Sequence, residues 1–266
     1  MQRSIKKERL ALSLTAPRFT IGAEIVGPVT PAPLRYKKSA DVRKKLLDVA
    51  EFLFAKWGYA AVSIRDVTSR AEMRVANVSY YFGSKQNLYY EVLRRRAEPL
   101  GQMRLEGIRA ARASKLARDE KLRAIVAAYA DPPLVLSQSG DAGWKNFFSL
   151  IGQVTFSGFA APEIAEFFNE PARELMAGLQ DLYPSAPPAR IQAGALLLIG
   201  PYIMVIAETG RIETFPERAF SSSDLGLLGP MMKEFIAGGL LGLLDTHDEA
   251  KGSKEKALRR GEPRRS

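Results

Sequence analysis

Residues 65–85 read "RDVTSRAEMRVANVSYYFGSK", and the fold turns on how this run is parsed. Just ahead of it Ser63 opens "SIRD", a capping box with Asp66 where Glu or Gln usually stands. The Ser hydroxyl can accept the N–H three residues on, while the carboxylate returns to the Ser N–H. A helix is therefore expected from about Ile64 to Arg70, with Ile64, Val67 and Ala71 on its inner face. "AEMR" breaks it. "VANVSYYF" then makes a second short helix with Val78 and Phe82 inward and Asn77, Ser79, Tyr80 and Tyr81 on its other sides. "GSK" ends that helix and caps the next, which starts near Lys85 and runs through "QNLYYEVLRRR". Two short helices joined by a tight turn form a helix-turn-helix, whose second helix is narrow enough to enter a DNA major groove. On spacing alone, a plain packing role for the same geometry stays open.

Upstream, Leu46, Ala50, Leu53, Phe54 and Trp57 fall at i, i+4, i+7, i+8 and i+11, one apolar stripe of a helix. Ser39 is its expected N-cap and Gly58 its expected stop. The basic run "RYKKSADVRKK" ahead of the helix pair can neutralise phosphates by counterion release, and Lys85 sets a cation beside free N–H groups at a helix start. Residues 1–34 end in the Pro-rich "GPVTPAPL" and read as a disordered basic arm.

The net charge of +10 is unevenly spread: +3 over 1–34, +7 over 35–98, −3 over 99–247 and +3 over 248–266. Such asymmetry points to a polyanion at the front and another task behind. The chain has no Cys, which excludes disulfides, thiolate zinc sites and a cysteine nucleophile and fits a reducing cytoplasm. Its N-terminus lacks the apolar core of a signal peptide. "IQAGALLLIGPYIMVIA", residues 191–207, sits at the short limit for a membrane span and holds a Gly-Pro break, so it reads as a buried helix and no membrane partner is expected.

Past Pro99, long helices are expected at roughly 101–113, 119–130, 141–157, 162–181, 187–208 and 224–244, with no period-two strands. The fold class is all-α. After Leu244 the charged, apolar-poor sequence reads as a mobile basic tail, 248–266.

The run "KKLLDVAEFLFAKWGYAAVSIRDVTSRAEMRVANVSYYFGSKQNLYYEVL" resembles the N-terminal domain of the tetracycline-repressor (TetR) family of transcriptional regulators. The likeness lies in the Leu-Leu, Ala, Leu-Phe, Gly first helix, the helix pair, and Tyr-Phe-Gly-Ser-Lys leading into Leu88. It implies a DNA-binding domain over 35–98, a helical effector-binding and dimerisation domain over 99–247, and a homodimer on a palindromic double-stranded DNA operator. By position it places Val75, Ala76 and Asn77 at the groove end of the recognition helix, Ser79, Tyr80 and Tyr81 against phosphates or adjacent bases, and Lys85 on a phosphate. Arg65 and Arg74 join this candidate DNA-binding set. Asn77 could bond an adenine edge in bidentate fashion, and Arg74 could reach either a guanine or a phosphate. Two departures stand out: Glu72 where the family usually has a turn Gly, disfavouring a left-handed backbone, and Arg74, a poor N-cap, where Ser or Asn is common.

In the middle of the chain Trp144, Phe147, Phe148 and Ile151 lie at i, i+3, i+4 and i+7, with Phe156 following. Such a face is ordinarily core. In a protein resembling this family, it would line a pocket for a small apolar or aromatic effector, lipid-like ligands included. Segments 187–208 and 224–244 are apolar around much of their circumference and suit a four-helix interface between two copies. The single His, His247, and the lack of metal-binding, Walker-type or GxSxG motifs argue against an enzyme, and no cofactor is expected. The class-distinct alternative is a small-molecule-binding or scaffold dimer whose helix-turn-helix no longer reads DNA.

Overall fold

The structure, a computed structural model, describes residues 34–157 and 161–259, with side chains over 39–155, 157 and 165–245. Among these residues the architecture is all-α, as expected. Helices α1 (Leu34–Ala61), α2 (Ile64–Arg70), α3 (Val75–Phe82) and the first turns of α4 (Lys85–Ala113) form the front of the molecule. Helices α5 (Arg118–Ser137), α6 (Ala142–Ser157), α7 (Ala161–Leu182), α8 (Pro188–Ile206) and α9 (Leu225–Arg259) follow, with a short 3₁₀ turn, Ile212–Thr214, before the last. One continuous apolar core runs from Leu46 and Phe54 through Leu88 and Phe147 to Leu240.

The first helix departs from its sequence reading at both ends. It starts at Leu34, so Ser39 is not an N-cap; its hydroxyl instead lies 3.0 Å from the Tyr81 hydroxyl. Gly58 does end the regular helix, at φ 76°. Trp57, expected on the buried stripe, is 59% exposed, with the Lys56 ammonium 4.9 Å from its ring centre. Helical angle puts it on the stripe, yet burial needs a covering element and little covers that last turn. The 1–34 arm, save the helix start, and residues 260–266 of the expected tail lie outside the described residues.

Pro99 does not divide the fourth helix as expected. α4 runs unbroken through it to Ala113. Proline deletes one N–H and crowds the preceding turn at a cost of about 3 kcal/mol, but Ala97, Leu100, Arg104 and Leu105 on either side are buried, and that packing keeps the helix going. The expected 98/99 boundary thus falls within α4. Pro132 and Pro133 are likewise carried inside α5. α9 continues to Arg259, past the end expected at Leu244. α4 packs chiefly on α7 and α5. At Gly101 the two backbones come so close that a Cβ would stand 2.6 Å from the Phe167 carbonyl oxygen. Gly101→Ala is expected to cost about 1–3 kcal/mol by overpacking, read as a lower denaturation midpoint with an unchanged slope.

An ionic clamp ties α1, α4 and α6. Glu51, 2% exposed, is paired with both Arg95 and Arg96; Arg95 also holds Asp48 at 2.7 Å, and Arg96 holds Asp141 at 2.6 Å. Gly143 leaves room for it, since a Cβ there would come 2.5 Å from a Glu51 carboxylate oxygen. Burial pushes the Glu51 carboxyl up against the pull of its two guanidiniums. The hydrogen bond from Arg96 holds Asp141 down, and although burial opposes it, Lys44 and Arg95 hold Asp48 down too. Groups with lowered folded values add stability that is present above their unfolded values and lost as pH falls through the folded ones. Acid titration is therefore expected to weaken the fold below about pH 4, with Asp141→Asn losing part of that dependence.

Candidate functional site

The helix pair is built by local rules. The Ser63 hydroxyl accepts from the Asp66 N–H at 3.2 Å, and the Ser63 N–H donates to the Asp66 carboxylate at 2.7 Å. The Ser63 hydroxyl also donates to that carboxylate at 2.7 Å, and this bond, with the one from the Ser63 N–H, holds the Asp66 carboxyl below the usual range. Ser63→Ala is expected to cost about 1 kcal/mol, measured by thermal or urea unfolding. α2 buries Val67 and Thr68, and α3 buries Val78 and Phe82.

The turn between them carries both departures noted in the sequence. Glu72 takes the left-handed conformation, φ 55°, despite its Cβ. N–H groups of Ala71, Glu72 and Met73 donate to the carbonyls of Val67, Ser69 and Thr68 at 2.9, 3.1 and 2.8 Å, so the turn's hydrogen bonds impose the geometry. Its carboxylate points outward and meets Lys45 of α1 at 3.7 Å. Glu72→Gly is expected to stabilise the fold by about 1 kcal/mol by removing the left-handed strain. Arg74 stands at the N-cap of α3 with no side-chain capping bond.

The structure sorts the candidate contact residues into two groups. Arg65, Arg74, Val75, Ala76, Ser79 and Tyr80 are exposed and Asn77 is half-buried; none of their side-chain polar groups has a hydrogen bond or ion pair among the described residues. Tyr80, 81% exposed, lies opposite the buried Val78–Phe82 edge and so centres the outer face of α3, with Asn77 on its flank. Tyr81 and Lys85 are engaged instead. The Tyr81 hydroxyl meets Ser39, and the Lys85 ammonium sits 4.2 Å from the Tyr59 ring centre. Ser39 and Tyr59 therefore belong to the site as supports. Their sequence signal was absent, because they come from a distant helix turn and from beyond the Gly58 break. Ser84 caps α4 by accepting the Asn87 N–H at 3.1 Å.

The candidate effector residues come together as packed core. Trp144 stacks on Phe148 at 5.9 Å, Phe147 meets both edge-on, and Ile151 is buried beside them, all against α1. The Phe156 side chain lies outside the described residues. A shallow apolar groove lies elsewhere, lined by Pro201, Met204, Val205, Leu228, Met231, Met232 and Phe235.

Around that groove α8 and α9 show two faces. Inward they bury Leu198, Tyr202, Leu240 and Leu244; outward they expose Leu196, Leu197, Met204, Leu227, Met231 and Phe235. Cβ atoms at Gly200, Gly238, Gly239 and Gly242 would meet nothing, so this outer face is low as well as apolar. Each of the two helices is long and apolar enough to cross a membrane by length and composition, a test that helices burying one side in a protein core also pass.

Comparisons with known proteins agree with this arrangement. The family model described as "Bacterial regulatory proteins, tetR family" matches residues 46–92, and "Tetracyclin repressor-like, C-terminal domain" matches 127–239. Among solved structures, a TetR-like transcriptional regulator from Rhodococcus sp. RHA1 superposes with a TM-score of 0.53 at 15% identity, covering 76% of this chain and 97% of that one. A TetR-family transcriptional regulator from Streptomyces coelicolor has a TM-score of 0.49 at 17% identity, covering 84% and 90%. GusR from Salmonella enterica reaches 0.49 at 15%, covering 77% and 96%. No curated protein matches the chain. With the helix-turn-helix matched by one family model and the helices behind it by another, the chain belongs to the TetR family of transcriptional regulators.

Proposed function

We propose that the chain is a ligand-responsive, DNA-binding regulator of the cytoplasm, a repressor that holds a palindromic operator as a homodimer and lets go when a small apolar effector fills its helical domain. One observation carries the reading: the outer face of α3, with Arg65 and Arg74 beside it, presents polar, cationic and aromatic groups that no other element engages among the described residues. Unpartnered groups on a projecting helix are what base edges and phosphates require.

The coupling has a simple physical route. α4 starts at Lys85, directly after the recognition helix, and ends at Ala113 among α5 and α7. A helix of this length is stiff, so a ligand that shifts its far end shifts α3. Operator affinity then falls by the ligand's differential affinity for the two arrangements. The outer α8/α9 face supports dimerisation rather than membrane insertion, because the same helices supply core residues inward.

Selection of bound sequences from a random DNA pool tests the proposal, run at one salt concentration beside Asn77→Ala and Tyr80→Ala. An enriched palindrome, with Asn77→Ala weakened by about 1–3 kcal/mol at a single base position, is the expected result. The second reading, a dimer that no longer reads DNA, is favoured by the strained Glu72 and the uncapped Arg74. Weak, unselective binding whose salt dependence is shallow would put that reading first.

A further inference from the structure

α4 carries a series of arginines, and the structure treats one of them differently. Arg94 is paired with Glu91, Arg95 with Asp48, Arg96 with Asp141, Arg109 with Glu170 and Arg112 with Asp181. Arg104 has no carboxylate among the described residues, yet it is only 2% exposed. Its Nε donates to the Tyr129 carbonyl at 3.0 Å, while its Nη2 is buried with no acceptor. The guanidinium is packed by rings instead, 3.9 Å from the Tyr129 centre, 4.7 Å from Tyr202 and 5.4 Å from Phe168.

A guanidinium stays protonated in a protein, and a buried cation without a counter-charge is costly. Aromatic faces recover part of that cost, because their negative quadrupoles attract the cation. The Tyr202 hydroxyl also hydrogen-bonds the guanidinium, yet Nη2 itself is left without an acceptor. A buried donor left this way is rare in native structures and calls for a partner. The partner that fits a planar fork of N–H groups is a carboxylate, which can accept two parallel bonds. The walls around it come from four helices, α4, α5, α7 and α8, at the middle of the helical domain. Tyr129 and Tyr202 are buried and Phe168 is half-buried.

We propose that Arg104 is the anion-binding centre of the effector site, and that the effector is a monocarboxylate with an aromatic or aliphatic body. The carboxylate pairs with Nη2, and the body lies among the rings of Tyr129, Phe168 and Tyr202. This rests on the reading that the helical domain takes an effector, and it moves the ligand's anchor away from the Trp144–Phe148 cluster. The effector is thereby charged at one end rather than wholly apolar.

Thermal unfolding of the purified full chain tests it, with benzoate, phenylacetate and the straight-chain monocarboxylates from hexanoate to tetradecanoate, each beside its primary amide, and with inorganic phosphate. At least one carboxylate is expected to raise the midpoint in a concentration-dependent way while its amide does not. Arg104→Met, which keeps the volume without the charge, is expected to weaken that carboxylate by about ten- to a hundredfold, and Arg104→Lys by less. Should Arg104→Met fail to fold, the carboxylate-against-amide comparison on the parent still decides. The proposal is overturned if no carboxylate acts, if amides act equally, if phosphate acts as strongly, or if Arg104→Met binds unchanged; in those cases Arg104 is a packing residue. The readout is binding alone, so it stands apart from operator recognition. Adding the active carboxylate to operator-bound protein afterwards reports separately on the regulator reading.

Discussion

Met231→Asp combined with Phe235→Asp is expected to leave the protein monomeric in light scattering, where the parent is expected to run as a dimer, and to abolish binding to a two-half-site operator at concentrations at which the parent binds. Both side chains are exposed in the single chain, at 55% and 71%, on the outer face of α9. Burying a Met or Phe side chain contributes about 1.5–3 kcal/mol, and two-fold symmetry counts each position twice. Since part of each side chain is already covered within the single chain, the loss is about 4–8 kcal/mol of association, before the added penalty of placing carboxylates in an apolar seam. That is enough to carry a nanomolar dimer to between the micromolar and the millimolar range. Neighbouring charges are an internal control: Glu234 is bound to Arg123 at 2.5 Å and Lys233 to Asp131 at 2.6 Å within the same chain. Glu234→Ala should therefore leave the dimer intact. A double Asp variant that remains dimeric would place the interface elsewhere, and a monomeric parent would remove the two-half-site reading altogether.

Glu51→Ala is expected to destabilise the fold by about 3 kcal/mol, read as a fall in urea midpoint. Removing one partner of a buried ion pair normally costs more than removing both, because a charge is left without compensation. The estimate sits at the low end of that range, since Arg95 keeps Asp48 and Arg96 keeps Asp141. Glu51→Gln keeps the shape and one acceptor and should cost roughly half as much. The consequence reaches beyond stability: the clamp fixes α1 against α4, and α1 supplies Ser39 and Lys45 to the helix pair. A Glu51→Ala variant should thus lose DNA affinity more steeply on warming than the parent. If its midpoint is unchanged, the clamp is ornamental and the apolar contacts of α1 alone hold the domain.

Much of the front of the molecule was legible because its causes are local. The Ser63–Asp66 capping box, the inward pair Val78 and Phe82, the positive-φ break at Gly58 and the Ser84 cap each depend on residues within four positions of one another. The same locality explains the uncapped Arg74, which was readable before any packing was known, whereas the left-handed conformation of Glu72 went against the preference of its side chain and was imposed by the hydrogen bonds of the turn. Composition and periodicity likewise determined the all-α class and the doubly apolar helices at the C-terminal end.

What the sequence could not supply was burial by distant elements. Trp57 shares the angle of a buried stripe and is exposed, while Pro99, Pro132 and Pro133 stand inside helices that their local chemistry would break. Tyr59 comes to lie under Lys85 by the course of the chain after Gly58. Arg104 is the sharpest case: by sequence it is one of 39 Lys and Arg residues, and only the convergence of α5, α7 and α8 on α4 separates it from the paired arginines of its own helix. Hydrogen bonds and caps act over a turn of chain, so the sequence by itself determined the helix-turn-helix. Desolvation and charge pairing are set by whatever packs from tens of residues away, so the tertiary structure decided which charges were left unanswered.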